Sequence, residues 1–499
     1  MHEKLSLNIE ADKPQDNCAV VGVYSKDANI PGIIVNGLIE LNHRGQEGAG
    51  IIISDGISFV GKKASGLVEV VFSKRNDDGV IIEDIPQLNG AFTGIGHTRY
   101  STSGTLDELQ PFLEDGISVA HNGNLTNIQE LKEEFGFPDE IDGARSDTRF
   151  ALAVIHKMQG SEEEKILAAL KKFEGAYSFV FSTKDTLYAS RDPHGFRPLV
   201  LGKLRNRKGY IVASETSALR RMGAKFEREV KPGETVRINK SGHATIDLDE
   251  RSDISRCIFE LIYLARPDSV VFGVPVMEFR RRIGEGLARH LPENVDIIAP
   301  VPDSGRGAWS GVISSEIARE SGAMFEEVFY PNKYRNIVSG KLRTFIAPNG
   351  RDKAATEKYS VIESNVRGKD IVLVDDSILR GSMARIVRIL RAHGARSVHA
   401  LIAAPPIEHA CGYGVDFGTD ELVAGKSENR PNNIVDIEKV RIELGLDSLY
   451  YISYAELLEA VLGNPVENVP EVFEQNKFCG ACFTGRYPVP IDGTVSKIA

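Results

Sequence analysis

The chain has 499 residues, of which 26% are charged and 42% hydrophobic, and its formal net charge is −10. This length exceeds one hydrophobic core and predicts about two to four domains, with the composition of a soluble globular protein. There is no apolar run of about 18 residues, which argues against a membrane span. The first seventeen residues are polar and lack the apolar core of a secretory signal, so we expect a cytoplasmic protein. The acidic balance also argues against a general nucleic-acid-binding protein.

The first half of the chain, from Cys18 to about residue 250, is rich in short β-strand patterns separated by Gly and Asn turns. The patterns read AVVGVY, GIIIS, ISFVGK, GIGHTRY, GISVAHNG, AYSFVFS, TLYASRD and YIVASE. Helical patterns are few, and the clearest is EEEKILAALKKF at 162–173. The sequence therefore predicts stacked antiparallel sheets with flanking helices.

From about residue 255 the pattern changes, because strands such as VDIIAPVPD, DIVLVDD and SVHALIAAP alternate with helical segments. This alternation is typical of a parallel α/β sheet. The segment KDIVLVDDSILRGSMARIVRILRAHGA, at 369–395, contains both elements. Its apolar run from Ile371 to Val374 predicts a strand buried on both faces. Apolar residues then recur at helical spacing, and Gly394 suits the C-terminal cap of that helix.

Between this strand and helix lies DDSILRGS, which puts Asp375 and Asp376 at the carboxyl end of the strand. The loop leads into a helix N-terminus, where backbone N–H groups favour an anion. Carboxylates that accept hydroxyl groups beside a phosphate-binding loop suit a sugar phosphate. The alternative is a pair of aspartates that only ends the strand. However, VLVDDS followed by RGS resembles the 5-phosphoribosyl-1-pyrophosphate (PRPP) loop of type I phosphoribosyltransferases, which favours the sugar-phosphate site.

Two further segments of the second half bear on this site. The strand in APVPDSGRGAWSG (299–311) is followed by a loop with small residues that let the backbone approach a ligand. In the resembled family the corresponding loop receives pyrophosphate. The second segment, NKYRNIVSGKLRTFI (332–346), carries Lys333 and Arg343 among its basic residues. From charge alone it is a solvated surface loop, but beside a polyphosphate site it predicts a lid that neutralises charge and excludes water.

The first half carries five short landmarks whose individual signals are weak. In chain order they are Cys18, LNHRGQEGAG (41–50), GIGHTRYSTSG (94–104), VAHNGNLTN (119–127) and ARSDTRF (144–150). Singly they suggest a packed thiol, a turn or surface charges. Together they resemble the class II glutamine amidotransferase domain, an N-terminal nucleophile hydrolase.

With the PRPP loop downstream, the chain resembles the glutamine PRPP amidotransferase family, also called the amidophosphoribosyltransferases. The resemblance covers nearly all of residues 18–490 and includes LIYLARPDS (261–269), YGVD (413–416) and CFTGRYP (482–488). It implies the first step of de novo purine biosynthesis. Glutamine is hydrolysed at one site, and its ammonia displaces pyrophosphate from PRPP at a second site to give 5-phosphoribosylamine and glutamate.

The resemblance also implies a fold of α+β and α/β type. An N-terminal nucleophile hydrolase domain with αββα layers precedes a type I phosphoribosyltransferase domain with a parallel sheet. The expected divisions are a propeptide at 1–17, the glutaminase domain at 18–254, the transferase domain at 255–465 and a C-terminal segment at 466–499 that carries cluster cysteines. A homotetramer and inhibition by purine nucleotides are further family expectations.

Cys18 is the nucleophile that the resemblance implies, and it becomes the N-terminal residue once residues 1–17 are removed. A thiol with a pKa of about 8.5 needs a base, and a freed α-amino group with a pKa of about 8 is able to serve. The alternative is a structural cysteine that follows a disordered tail. The family motif has Gly where this chain has Ala19, a small residue from which we expect little effect.

The resemblance also assigns the glutamine contacts. Arg99 binds the α-carboxylate, and Asp147 binds the α-ammonium group. Asn122 and the backbone N–H of Gly123 form the oxyanion hole for the tetrahedral intermediate. Released ammonia must stay unprotonated on its way to the second site, which implies a dry channel formed when the lid closes.

At the PRPP site the resemblance assigns the aspartate pair to the ribose hydroxyls and to Mg²⁺, with Ser304 as a further metal contact. Mg²⁺ suits such a site because it binds phosphates through few protein carboxylates. The implied PRPP contacts are Asp375, Asp376, Ser377, Gly381 and Ser382 from the loop and Lys333 and Arg343 from the lid. The lid is longer than the family pattern and reordered, so Arg343 in RTFI is the better match of the two.

The remaining cysteines are Cys257, Cys411, Cys479 and Cys482, the number that fills a tetrahedral thiolate site. Their spacing leaves three alternatives open, namely unrelated buried thiols, zinc and an iron–sulfur cluster. The resemblance to the iron–sulfur branch of the family implies a [4Fe–4S] cluster. Neither half-reaction transfers electrons, so the cluster is expected to be structural.

Two rival functions make different demands on the sequence. A sugar-phosphate amidotransferase of the glucosamine-synthase type would have sugar-isomerase domains in place of VDDS and PVPDS. An inactive relative with a regulatory role would be expected to lack Cys18, Arg99 or one of the paired aspartates, and all of them are present.

Overall fold

The computed structural model describes residues 18–76, 80–99, 108–138, 146–205, 208–249, 253–301, 309–331, 359–415, 417, 422–426, 429–430, 434–463 and 478–491. The expected propeptide at 1–17, Ser304 and the lid residues Lys333 and Arg343 lie outside the described residues. Of the expected C-terminal segment, only 478–491 is described.

The first half contains strands of an antiparallel architecture. They are β1 (Cys18–Tyr24), β2 (Gly48–Ser54), β3 (Phe59–Ser65), β4 (Ser73–Arg75), β5 (Ile81–Glu83), β6 (Thr93–Arg99), β7 (Phe112–Glu114), β8 (Ile117–Leu125), β9 (Gly175–Ser182), β10 (Leu187–Arg191), β11 (Val200–Leu204), β12 (Tyr210–Ala213), β13 (Ala224–Glu229), β14 (Glu234–Asn239) and β15 (Gly242–Leu248). The helices are α1 (Ile30–Glu40), α2 (Val68–Val71), α3 (Ile128–Phe135), α4 (Asp147–Lys157), α5 (Glu162–Leu170) and α6 (Thr216–Arg221).

These strands form two stacked sheets, ordered β13-β11-β12-β1-β6-β2-β3 and β15-β14-β10-β9-β8-β7, with β4 and β5 as a separate pair. Successive side chains of a strand point to opposite faces. In β1, Val20 therefore packs between the sheets, while Val21 packs on the outer face with α1. On the far side, α4 and α5 pack against the second sheet. The predicted αββα layering is confirmed, and it explains why AVVGVY is apolar throughout.

The second half contains strands β16 (Arg256–Cys257), β17 (Val270–Val271), β18 (Val274–Pro275), β19 (Ile297–Pro300), β20 (Met324–Phe325), β21 (Phe329–Pro331), β22 (Tyr359–Val361), β23 (Asp370–Asp375), β24 (Ser397–Ile402), β25 (Ser448–Tyr451) and β26 (Phe478–Cys479). Its α-helices are α7 (Val276–Ala288), α8 (Trp309–Ser321), α9 (Ser382–Ala392), α10 (Ile437–Leu444), α11 (Tyr454–Leu462) and α12 (Ala481–Thr484). A π-helix spans Glu260–Leu264 and a 3₁₀ helix spans Glu363–Asn365.

The core of this half is a five-stranded parallel sheet ordered β20-β19-β23-β24-β25. Val372 packs with α7 and α8 on one face, and Leu373 packs with α9 on the other. Burial of both faces explains the uninterrupted apolar run that the sequence shows. The chain runs from β19 to β20 on one side and returns to β23 on the other. The carboxyl ends of β19 and β23 are thus the expected position of a ligand in such a sheet.

Two smaller features connect distant parts of the chain. Strands β16 and β26 form a parallel pair in which Cys257 lies opposite Cys479. Strands β21 and β22 pair on either side of the lid region, and β17 pairs with β18. Within the described ranges, the helices are too short or too polar to cross a membrane.

Candidate active sites

The end of the first sheet brings the expected nucleophile beside the expected carboxylate-binding residue. Cys18 opens β1 and lies directly opposite Arg99 on β6, and Gly48 of β2 lies opposite the other side of Arg99. Gly45, in the HRGQ motif, packs so closely that a Cβ there would lie 2.7 Å from the backbone nitrogen of Arg99. Cys18 is half-buried and forms no disulfide. The glycines of this motif therefore let the loop before β2 cover the strand end that carries Arg99.

The HNGN motif lies within strand β8 and not in a turn, and it presents an amide without partners. The Asn122 side chain is fully buried, and neither Nδ2 nor Oδ1 has a hydrogen-bond partner among the described residues. A buried polar group without a partner is costly and marks a functional position. At Gly123, φ is +148° and a Cβ would lie 2.0 Å from the Ala176 oxygen, so only glycine fits. This arrangement suits the binding of a ligand oxygen by the Asn122 amide.

Two histidines join the Arg99 strand to the Asn122 strand across the sandwich. The Nε2 of His97 lies 3.2 Å from the carbonyl oxygen of His121. Burial lowers the pKa of His97 to about 3, with the Arg99 charge acting in the same direction. A neutral His97 ring is therefore able to donate to that carbonyl. Sequence analysis assigned no role to either histidine.

Asp147 begins helix α4 and is held by β8. Its carboxylate accepts hydrogen bonds from the backbone N–H of Leu125 at 3.3 Å and from the Thr148 hydroxyl at 3.2 Å, and it lies 3.3 Å from Nδ1 of His121. Burial by itself raises the pKa of Asp147, but His121 and these hydrogen bonds outweigh it and lower the pKa. Asp147 is thus anionic beside the HNGN strand, as a partner of an ammonium group must be.

A buried network of charges joins the first half of the chain to the second. Arg44 is fully buried, its Nε donates to Glu215, and its Nη2 lies 2.5 Å from Oε2 of Glu260. Arg197 donates to Oε1 of Glu260 at 3.0 Å. Burial raises the pKa of Glu215, but Arg44 and His43 outweigh it and hold the pKa well below its usual range. The sequence analysis quoted HRGQ as a landmark but missed this network.

Arg280 of α7 interacts electrostatically with Glu215 of the network and with Asp376 of the paired aspartates. It is fully buried, and its guanidinium donates to the carbonyl oxygens of Leu261 at 3.3 Å and Ala265 at 2.7 Å. Burial lowers the pKa of Arg280 to about 9, and the charges of Glu215 and Asp376 oppose that shift. Arg280 is therefore a cation that is bonded to the backbone of the π-helix and that interacts with a carboxylate in each half of the chain, Glu215 and Asp376.

The predicted PRPP loop follows β23. Asp375 and Asp376 are almost completely buried at the strand end. The backbone N–H of Asp376 donates to the Asp375 carboxylate at 2.9 Å, and the Ser377 hydroxyl donates to Asp376 at 3.1 Å. Gly381 precedes α9, and a Cβ there would meet no atom within 4 Å, so this glycine leaves open space. Ser382 is the first residue of α9.

The loop after β19 that contains Ser304 is outside the described residues, but the strand itself lies beside β23. Pro300 at its end pairs with Val374. The two loops therefore begin at the same edge of the sheet. Two adjacent buried carboxylates are the oxygen donors that Mg²⁺ prefers, so the described part of the site fits that ion.

The four remaining cysteines converge where the C-terminal segment meets both halves. Cys257 pairs with Cys479 across β16 and β26, and Cys411 packs into the same apolar clusters as Cys479 and Cys482. Burial raises the pKa of Cys257 to about 12 and holds the pKa of Cys482 well above its usual value, and the nearby Cys411 thiol adds to both shifts. Among the described residues, no group of three or more potential ligands is spaced to hold a single metal ion. The donor set is nevertheless an all-thiol one, as an iron–sulfur cluster requires.

A family model described as a glutamine amidotransferase domain matches residues 97–221. Amidophosphoribosyltransferase 2, chloroplastic, of Arabidopsis thaliana is 39% identical over 502 residues, with 97% of this chain and 82% of the relative covered. The amidophosphoribosyltransferase of Rattus norvegicus is 34% identical, with 95% of this chain and 97% of the relative covered.

Two solved structures share the fold along nearly the whole chain, each with a TM-score of 0.81 and 33% identity. One is described as the allosteric regulatory enzyme of purine biosynthesis, with 96% of this chain and 97% of that chain covered. The other is glutamine PRPP amidotransferase from B. subtilis complexed with ADP and GMP, with 97% and 100% covered.

A nucleophile-hydrolase sandwich joined to a phosphoribosyltransferase sheet defines a class of glutamine-dependent phosphoribosyltransferases. The chain belongs to the amidophosphoribosyltransferase family, whose reaction is the first step of de novo purine biosynthesis.

Proposed function

We propose that the chain hydrolyses glutamine at Cys18 and uses the ammonia to convert PRPP to 5-phosphoribosylamine, pyrophosphate and glutamate. The observation that supports this most strongly is the geometry at the first residue of β1 and in the HNGN motif of β8. There Cys18 lies opposite Arg99, and the buried amide of Asn122 has no partner among the described residues. Cys18 attacks the glutamine side-chain carbonyl, and Asn122 with the Gly123 N–H stabilises the developing oxyanion.

Glutamine is held by charges of opposite sign in this proposal. Arg99 binds the α-carboxylate and Asp147 binds the α-ammonium group. The depressed pKa of Asp147 supports its part, because an anion is required. For Cys18 to act, the bond that joins it to Asn17 is cleaved, and the new α-amino group takes the thiol proton. Residues 1–17 act as a propeptide.

At the second site, Asp375 and Asp376 bind the ribose hydroxyls, and the loop through Ser377, Gly381 and Ser382 binds the 5-phosphate. The support is the burial of both aspartates at a strand end that leads into a helix N-terminus. Mg²⁺, held by the aspartates and Ser304, would neutralise charge on the pyrophosphate when bound. Lys333 and Arg343 would contact pyrophosphate from the lid, which closes over the site and a channel for ammonia.

The four clustered cysteines, Cys257, Cys411, Cys479 and Cys482, are proposed to hold a [4Fe–4S] cluster with a structural role. The all-thiol donor set supports iron–sulfur over a mixed metal site. Iron and zinc analysis of anaerobically purified protein tests this. About four irons per chain are expected, whereas stoichiometric zinc in a colourless protein would contradict the proposal.

Three wider assignments concern regulation, domain boundaries and the oligomeric state. The relative complexed with ADP and GMP supports regulation by purine nucleotides. The break between β15 and β16 supports a boundary near 254 between glutaminase and transferase domains, with the latter ending near 465. A homotetramer is proposed from the family resemblance alone.

The two half-reactions are separated by replacing Cys18 with Ser. We expect this variant to lose glutamine-dependent synthesis and to keep synthesis from added ammonia, because only the first half-reaction uses the thiol. Both activities are measured on the mature full-length protein, and iron content serves as a control for folding. Loss of both activities with unchanged iron content would contradict the assignment of Cys18.

A further inference from the structure

The HNGN strand is contacted on one face by a segment that comes from the other half of the chain. We name residues 411–414, Cys411 to Gly414, the cysteine segment. The side-chain amide of Asn124 donates to the carbonyl oxygen of Gly412 at 2.9 Å, across 288 residues of sequence. Gly414 packs directly on the oxyanion strand, since a Cβ there would lie 3.0 Å from the backbone carbon and oxygen of Gly123. The two glycines lie in backbone contact, with no side chain between them.

The segment lies on the face of β8 that carries Asn124, which is paired with Ala176 of β9, and Ala176 packs with Tyr413 of the segment. Strand β9 pairs with β8 along its whole length, from Ser118 to Leu125. On the opposite edge, β7 pairs with Ile117 to Val119 and goes no further. Beyond that point, Gln110 accepts from the backbone N–H of His121 at 2.7 Å, and Asp147 accepts from the backbone N–H of Leu125 at 3.3 Å. The cysteine segment then contacts the two residues that follow Asn122.

The side of the cysteine segment that faces away from β8 packs against residues 489–491 and Phe196. The Tyr413 hydroxyl donates to the Val489 oxygen at 2.6 Å and lies 2.9 Å from the Val489 nitrogen, which donates to it. The Tyr413 ring stacks on Phe196 with centroids 4.2 Å apart. A Cβ on Gly412 would lie 2.1 Å from Cδ1 of Ile491. The segment therefore has no room to move away from β8 while 489–491 stays in place.

From these contacts we propose that Asn124 and the cysteine segment position the oxyanion strand, so that the glutaminase site is completed by residues of the transferase half. Asn124 is a positioning residue that acts through Asn122 and Gly123. The inference rests on the proposed oxyanion role of those two residues. Because Cys411 begins the segment, whatever fixes Cys411 also fixes the contacts that the segment makes with Gly123 and Asn124.

The position of an oxyanion donor affects the transition state more than the bound substrate. Removal of one such donor lowers kcat by about 10²–10³-fold, and a displacement of about 1 Å costs about 10²-fold. Loss of the Asn124 tether, with the donors still present, is expected to lower kcat for glutamine by about tenfold or more. The KM for glutamine should change little, because Arg99 and Asp147 are not touched.

The test uses Asn124→Ala and Asn124→Asp in the mature full-length protein. The aspartate variant keeps the side-chain size but opposes one acceptor to another. Asn127→Ala is the matched control, because its amide also bonds to backbone, with Nδ2 donating to Lys172 at 2.8 Å and Oδ1 accepting from Glu174 at 3.1 Å. Those bonds stay within the glutaminase half.

Five measurements separate positioning from general loss of structure. For both Asn124 variants we expect a lower kcat for glutamine, ammonia-dependent synthesis within about twofold of the parent, faster hydrogen exchange at 120–125 and unchanged alkylation of Cys18 by iodoacetamide. Labelling of Cys18 by a glutamine-like diazoketone should slow with kcat. Asn127→Ala should leave the ratio of the two activities unchanged.

Equal activity ratios in the Asn124 and Asn127 variants, with unchanged exchange at 120–125, would overturn the inference. Loss of both activities in the two Asn124 variants to the same degree would also overturn it. Failure of the underlying function looks different, because glutamine hydrolysis would then survive Cys18→Ser in the protein with an intact Asn124.

Discussion

Replacement of Asn122 is expected to lower activity strongly while it changes the stability of the fold very little. Its side chain is fully buried, and neither polar atom is bonded among the described residues. An unsatisfied buried polar group costs about 1–3 kcal/mol. Asn122→Ala removes that cost but leaves a small cavity, worth about 1–2 kcal/mol. The two effects nearly cancel, so the free energy of unfolding should change by no more than about 1 kcal/mol.

Asn127 supplies the opposite case on the same stretch of chain. Its amide is satisfied by Lys172 and Glu174. Asn127→Ala leaves a partly buried carbonyl and a partly buried N–H without these partners, which is worth about 2–3 kcal/mol. This loss is expected to lower the thermal midpoint clearly below that of Asn122→Ala.

For activity the order should be reversed, with Asn122→Ala impaired more than Asn127→Ala. Asn122→Ala removes an oxyanion donor, so kcat for glutamine should fall about 10²–10³-fold while ammonia-dependent synthesis persists. Asn127→Ala should keep both activities at a temperature where it is folded. The measurements are steady-state kinetics with each nitrogen donor and thermal unfolding of both variants. If Asn122→Ala is strongly destabilised and its kcat for glutamine is unchanged, Asn122 is a structural residue and the oxyanion assignment is wrong.

Three further outcomes are expected. Asp376→Asn should abolish PRPP turnover with either nitrogen donor while some glutamine hydrolysis survives, and unchanged PRPP kinetics would refute the phosphoribosyltransferase site. Glu260→Ala removes the carboxylate shared by two buried guanidinium groups, so it should lower the free energy of unfolding by about 3–5 kcal/mol. Removal of the exposed Arg396 should lower it by only about 0–1 kcal/mol. Thermal midpoints that fall equally in the two variants would count against the network. Burial raises the pKa of Glu215, but the charge of Arg44 outweighs burial and depresses that pKa. The Glu215 carboxylate therefore stabilises the fold above the unfolded pKa of about 4.3, and this stabilisation is lost as the pH falls below that value. Glu215→Gln should then flatten the acid side of the plot of thermal midpoint against pH, and an unaltered slope would exclude this contribution.

Local patterns were enough to predict the elements that carry each site. The strand from Ile371 to Val374 is apolar because helices cover both faces of the parallel sheet, and such burial leaves a direct mark on the sequence. The same holds for β1, which is buried between the second sheet and α1. The glycine at 123 is explained by the close approach of β9, which a single sequence shows only as a permissive residue.

The contacts that hold the sites together left no local mark. Arg44 and Glu260 are 216 residues apart, and a lone Arg in HRGQ is more often a surface charge. Asn124 and Gly412 are 288 residues apart, and neither the HNGN nor the CGYG motif indicates the other. Such pairs depend on how two halves of the chain pack, which periodicity and turn chemistry do not encode.

The buried charges give a physical reason why the two halves act as one unit. Arg197 donates to Glu260 at 3.0 Å and to the carbonyl oxygen of Tyr413 at 3.1 Å, so one guanidinium joins the charge network to the cysteine segment. That segment bonds to Asn124, while Arg44 joins Glu260 to the loop that covers the backbone of Arg99. Both ends of the proposed glutamine site are thus tied to the same carboxylate. Since a buried charge deprived of its partner costs several kcal/mol, the halves cannot separate at this boundary without exposing or stranding these groups. Movement of the π-helix that carries Glu260 would therefore reach the Arg99 strand and the Asn122 strand together.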